Sequence, residues 1–148
     1  MLIETLSTLF TRDLNKLKQE ISLYKTEPVI WHFEKDIANS AGNLCLHLVG
    51  NLKTYIGAEL GRHSYVRNRE LEFSAKDVPR AELVRGVEET IVVVNDALAN
   101  LTEDDLKAEY PLLVLNQKTS TEYFLIHLVA HLSYHLGQIN YHRRLLDV

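Results

Sequence analysis

"HLVAHLSYHLGQINYH", His127–His142, sets His127, His131 and His135 four residues apart, with His142 seven residues further on. On a helix such spacing stacks side chains along one face, with Cβ atoms roughly 5–6 Å apart. Whether that face looks into a core or towards water separates a metal-binding helix from one that is merely rich in histidine. The stretch belongs to a longer helical pattern. "TSTE" (119–122) has the spacing of a capping box from Thr119 to Glu122. Phe124, Leu128, Leu132, Ile139 and Leu145 or Leu146 then form an apolar stripe ending near Leu146. With Leu128 at zero and about 100° per residue, His131 falls near −60°, His135 near −20° and His142 near −40°. These three point inward, whereas His127, near −100°, lies on the margin.

Working back along the chain, three more helices emerge. Ile3, Leu6, Phe10, Leu14, Leu17, Ile21 and Tyr24 recur at steps of three and four, and Pro28 closes that segment. A second helix begins near Asn39 or Ser40, either a good N-cap, and carries Ala41, Leu44, Leu48, Leu52 and Ile56 before fading around Gly61. A third follows Pro79, with Leu83 or Val84, Val87, Ile91, Val94, Leu98 and Leu101 as its seam. The β-branched run "IVVV" is outweighed by the longer helical period. Polar connections fall around 26–38, 62–79 and 102–118, and "YPLLVLNQ" in the last reads as a short extended piece. The expected fold is all-α: four amphipathic helices in one domain over residues 1–148.

Composition bounds the function. The 148 residues are 46% hydrophobic and 24% charged, with a net charge of −4 and no basic stripe to neutralise phosphates. Nucleic acid is therefore not an expected partner. One cysteine, Cys45, excludes an intrachain disulfide, fits a reducing, cytoplasmic compartment and reads as a small core residue. Glu4, Arg12 and Asp13 come too early for a signal peptide, and no run approaches the roughly 20 apolar residues of a membrane span.

Two inward imidazoles at i and i+4 can converge on one metal ion, but a third ligand must come from another helix. His47, in "NLCLHLVGN" (43–51), flanks the buried face of the second helix at about −100° from Leu48, no better placed by that wheel than His127. Buried imidazoles with no common partner leave polar atoms unsatisfied at roughly 1–3 kcal/mol each, and a metal satisfies one nitrogen of each. Asn51 and Gln138 share helical faces with His47 and His135 and are candidates to orient an imidazole or a bound water. Tyr55, Arg67 and Arg69 are candidate substrate contacts, the arginines for an anion; the alternatives are a core position for Tyr55 and, for the arginines, an exposed loop with ordinary ion pairs to Glu70 and Glu72. Trp31 reads as a plug between loop and helices. No carboxylate stands at a clear catalytic spacing.

The C-terminal "HLVAHLSYHLGQINYHRRLL" resembles the last helix of the DinB-like, YfiT-type metal-dependent proteins, where one histidine of helix two joins an H-x-x-x-H pair on the last helix. Here the pair is His131 and His135, followed by Gly137-Gln138; the helix-two histidine is His47 in "LHLVGNLKTYI" (46–56). "VRNRELEF" (66–73) is similar to the Arg-x-Arg-x-x-Glu-Phe loop of one branch of that family, a branch of unknown function. The resemblance covers the chain in order and spacing. It implies an up-down-down-up four-helix bundle, a divalent metal (zinc, nickel, iron or manganese), and frequently a homodimer. Some relatives are thiol S-transferases and one uses a low-molecular-weight thiol. The resulting expectation is a metal-dependent enzyme of hydrolase or thiol-transferase type acting on a small molecule. The rival is a non-catalytic helical module whose metal or histidines are structural.

Overall fold

The computed structural model describes residues 1–148. Six α-helices follow one another: α1 (Leu2–Leu23), α2 (Ala41–Leu52), α3 (Arg69–Ser74), α4 (Arg80–Ala99), α5 (Glu103–Lys107) and α6 (Thr121–Leu146). There is no strand. The stretch expected to be extended forms only an isolated bridge between Glu109 and Ser120. No helix is long and apolar enough to cross a membrane.

Three of the four long helices start where local chemistry favours it. Ser40 caps α2, its hydroxyl accepting from the Asn43 N–H at 3.1 Å. Pro79 precedes α4, and "IVVV" lies inside that helix. The α6 cap differs by one residue from the expected Thr119–Glu122 box: Ser120 accepts from the Tyr123 N–H at 3.1 Å. The reason is the bridge, in which the Thr119 carbonyl accepts from Tyr110 N at 2.8 Å, holding Thr119 outside the helix. Sequence periodicity also missed three short elements within the connections: α3, α5 and a 3-10 turn over Glu27–Trp31. Such elements carry too few turns to print a periodic stripe. A π-helical turn, Lys53–Ala58, continues α2.

Helix directions follow from named pairs. Arg80, opening α4, donates to the carbonyl of Tyr24, just past the end of α1, while Ser7 near the α1 start meets Asn95 near the α4 end. The two helices are antiparallel. Glu20 of α1 accepts from Asn140 and Arg143 of α6, so those two run parallel. Gly86 lies beside Val49, Val93 beside Gly57 and Ala97 beside Gly61, so α2 and α4 run parallel. On α6, His135 faces His47 while Phe124 faces Tyr55, which makes α2 and α6 antiparallel. One buried cluster joins all four, including Phe10, Leu14 and Leu17 of α1, Leu48 and Leu52 of α2, Val87 and Leu98 of α4, and Leu128 and Leu132 of α6. Each such side chain stabilises the fold by about 1.5–3 kcal/mol relative to exposure. Trp31 closes one end against Gly42, where a Cβ would sit 2.7 Å from the indole.

A candidate metal centre between α2 and α6

The antiparallel pairing of α2 and α6 brings one histidine of the first against two of the second. His47, His131 and His135 each offer a ring nitrogen, and these nitrogens lie within 4.8 Å of one another. His47 Nε2 and His131 Nε2 are 3.3 Å apart. Tetrahedral ligation at 2.0–2.1 Å would separate two nitrogens by about 3.3–3.4 Å, so this spacing suits a zinc-sized ion. His47 is buried; His131 and His135 are half-buried.

His127 and His142 stay apart from this group. His127 stacks beside His131 with ring centres 6.3 Å apart. The buried His142 is satisfied without a metal: its Nδ1 meets the Tyr24 hydroxyl at 2.6 Å, and its Nε2 donates to the His32 carbonyl at 2.8 Å.

The residue whose place in the site sequence reasoning missed is Glu72, expected only as a surface ion-pair partner of the loop arginines. It lies on α3, in the connection read as exposed loop, yet it is buried, and its Oε1 stands 3.1 Å from His47 Nδ1. Several contacts hold it there. Arg67 forks onto both carboxylate oxygens, Nε to Oε2 at 2.8 Å and Nη2 to Oε1 at 2.9 Å. The Asn43 amide donates to the carbonyls of Glu72 and Ala75 at 2.9 and 2.8 Å, pinning the end of α3 to the start of α2. Gly50 makes the room: a Cβ there would collide with the carboxylate, 2.7 Å from its carbon. The available signal was "RNRELE" (67–72), whose last glutamate follows Arg67 by five residues, a spacing one short turn can close.

These partners settle which nitrogens face inward. An ionised carboxylate only accepts, so His47 carries its proton on Nδ1 and turns the Nε2 lone pair to the other histidines. Arg67 Nη2 also passes 3.3 Å from Nδ1; with both nitrogens donors, that is proximity rather than a bond. Gln138 Oε1 likewise takes the Nδ1–H of His135 at 2.6 Å, leaving its Nε2 as a lone pair. Two lone pairs and His131 therefore converge on one point, where a single N–H cannot serve all three. A cation can, and the donor set fits one.

Protonation favours the same end. Burial, then the neighbouring histidines His135, His47 and His127, push His131 down to about 4, so it is neutral at pH 7, the form a metal requires. Burial lowers His135 as well, against the opposing bond from Gln138. For Glu72 burial works upward, but the hydrogen bonds from His47 and Arg67 outweigh it and hold the carboxyl below its usual range.

Beside the histidines lies a cavity of about 170 Å³, lined by His47, Asn51, Tyr55, Arg67, Arg69 and, on α6, His127 and His131 among others. The expected roles of two lining residues change here. Asn51 bonds to no histidine, because the outer nitrogen of His47 turns towards α3 rather than along α2; its buried Oδ1 has no partner at all. Arg67 is engaged by Glu72 and lies with its guanidinium 5.6 Å from the Tyr55 ring centre, so it is not a free anion contact. Cys45 is fully buried in the core.

No curated protein matches the chain. A family model described as "Protein of unknown function (DUF1572)" matches residues 3–147. Because that match runs from the first turn of α1 to the residue after α6, and so takes in every side chain of the site, the chain belongs to the DUF1572 family.

Proposed function

We propose that this protein is a divalent-metal-dependent enzyme of DinB-like build, with His47, His131 and His135 as the metal ligands. The observation that carries the reading is the histidine trio standing beside a cavity. A metal that merely braced the helices would need no space next to it. The helix directions, with α1 and α6 one way and α2 and α4 the other, support the up-down-down-up bundle that the resemblance implies.

Three neutral imidazoles leave coordination positions open, which is the habit of catalytic rather than closed structural sites. An ion there supplies Lewis acidity, acidifying a water or thiol or polarising a substrate oxygen. The chain's own residues do the rest. Glu72 and Gln138 hold two imidazoles in the required tautomer. His127 lines the cavity and makes no hydrogen bond, so its ring nitrogens are free to bond a ligand at that wall. This chemistry suits hydrolysis or thiol S-transfer on a small molecule. All-nitrogen ligation suits zinc, nickel, iron or copper without choosing among them, and manganese enters only through the resemblance. We further propose a cytoplasmic homodimer that uses the outer face of α6, where Tyr123, Ile126, Tyr134, Tyr141 and Leu145 are exposed.

Metal analysis by mass spectrometry on untagged protein, purified without added metal or chelator, tests the centre. The expected result is about one ion per chain, lost in folded His47→Ala and His135→Ala variants. A wild type that holds no metal even after reconstitution would sink the reading.

A further inference from the structure

The cavity beside the histidines has a chemical character of its own. Its titratable lining is His47, Tyr55, Arg67, Arg69, His127 and His131; no carboxylate reaches it. Glu72, the nearest acid, spends both oxygens on Arg67 and His47. That neutralises Arg67 and leaves Arg69 as the unspent charge. Arg69 is exposed at the cavity's rim and makes no ion pair and no hydrogen bond within the protein; its guanidinium lies 5.3 Å from the centre of the Phe73 ring, and Phe73 in turn lies against His47 at 4.9 Å. A stacked guanidinium with all its N–H groups unused presents a planar fork, which matches a carboxylate. The second, independent sign is Asn51. It is 7% exposed, lines the same cavity, and its Oδ1 has no partner. Buried amides are rarely left so, and a ligand with a donor would complete it.

We propose that this cavity is a subsite for a small carboxylate, with Arg69 binding the anion and Asn51 meeting a polar atom next to it. The inference rests on the metal reading only for the position of the ligand's other end, at the histidines. Size limits the occupant: about 170 Å³ holds about five or six waters, so the part enclosed is a carboxylate on a few carbons.

The probe is propionate, with propionamide as its uncharged counterpart, titrated into cobalt(II)-loaded protein while broadening of the probe's methyl proton resonance is followed. Saturable broadening by propionate, none by propionamide, and binding weakened about tenfold or more in Arg69→Gln are expected. The exposed Lys76→Gln should bind as the wild type does. Equal binding by wild type and Arg69→Gln would mean that the carboxylate sits on the ion, and would overturn the subsite while leaving the metal centre standing. Equal binding of propionamide, or displacement of propionate by inorganic phosphate at lower concentration, would overturn the carboxylate assignment. If no cobalt is taken up, the metal reading fails by itself. The subsite is then judged on the same sample by amide shifts of α3: their movement with propionate upholds it, and their stillness overturns it.

Discussion

Replacing Glu72 with glutamine isolates the contribution of α3 to the metal centre. Glutamine keeps the shape but loses the charge and one acceptor. In the wild type the carboxylate serves three N–H groups: Nδ1 of His47 and the Nε and Nη2 of Arg67. An amide oxygen can accept from His47 or from Arg67, but the NH2 then faces a donor on the other side. Two losses follow. First, the imidazole loses its ionised partner, which makes it a poorer ligand and frees its ring to turn. Loss of such an outer partner costs about 10–100-fold in metal affinity, or about 1.4–2.7 kcal/mol. Second, Arg67, whose side chain is 12% exposed, keeps a charge without its counter-ion. Breaking a fully buried pair costs about 3–5 kcal/mol, and partial exposure of Arg67 reduces that to about 2 kcal/mol of stability for the metal-free protein. The two losses are read separately. Competition with a chromophoric zinc chelator at neutral pH gives the affinity; urea melts of metal-free protein give the stability. Zinc affinity within twofold of the wild type, in a variant with unchanged helical circular dichroism, would refute the claim that Glu72 orients His47.

Gly50→Ala should act on the same contact without touching a ligand. Its Cβ displaces the Glu72 carboxylate, so zinc affinity should fall in the same direction as for Glu72→Gln, by several-fold in the same competition assay. His127→Ala should retain about one zinc per chain by mass spectrometry, whereas His131→Ala should not, since three nitrogens converge and His127 is not among them. Acid should destabilise the metal-free protein. His131, His135 and His142 are all lowered in the folded state, so at pH values below the ordinary histidine range the unfolded chain binds protons that the folded chain refuses. Stability then falls from about pH 6.5 towards pH 4 and is flat above pH 7, as urea midpoints across that range will register. Midpoints that rise on acidification would contradict the burial of these rings. Leu14→Ala, at a fully buried position on α1, should cost about 2–5 kcal/mol in the same melts with no change in zinc stoichiometry.

The long helices were legible because each repeats its apolar positions for three turns or more. The α1 stripe from Leu6 to Ile21 and the α4 seam around Val87, Val94 and Leu98 are the buried residues observed. His131 and His135 could be placed inward for the same reason, since a wheel needs only a phase. The wheel failed where position depends on a neighbouring helix. It could not rank His47 above His127, because both lie on a margin and only the packing of α2 on α6 turns one of them in. The pairing of Arg67 with Glu72 was legible as an ordinary ion pair of an exposed loop, but its burial was not. It is made across one short turn, by residues whose types read as surface, and it becomes buried only when Asn43 draws α3 onto α2.

That dependence explains how the centre is divided between robust and yielding parts. His47 is backed by a charged carboxylate, itself locked by an arginine, an asparagine and a glycine from α2 and the chain around α3. His135 is backed only by the neutral amide of Gln138, three residues along its own helix and exposed to water. Charge-assisted bonds are about twice as strong as neutral ones, so the α2 side is the fixed wall of the site and the α6 side the adjustable one. The cavity lies between the two, with His47, Asn51 and Tyr55 and the chain that carries Arg67 and Arg69 on one side and Phe124, His127, Leu128 and His131 of α6 on the other. A ligand entering there meets His47 and Arg67 already oriented before it arrives, which lowers the ordering cost of binding on that side. The same side chains that would otherwise count as a surface loop thus serve two purposes: Glu72 and Arg67 set the ligand geometry, and by neutralising each other they leave Arg69 to define what the cavity accepts.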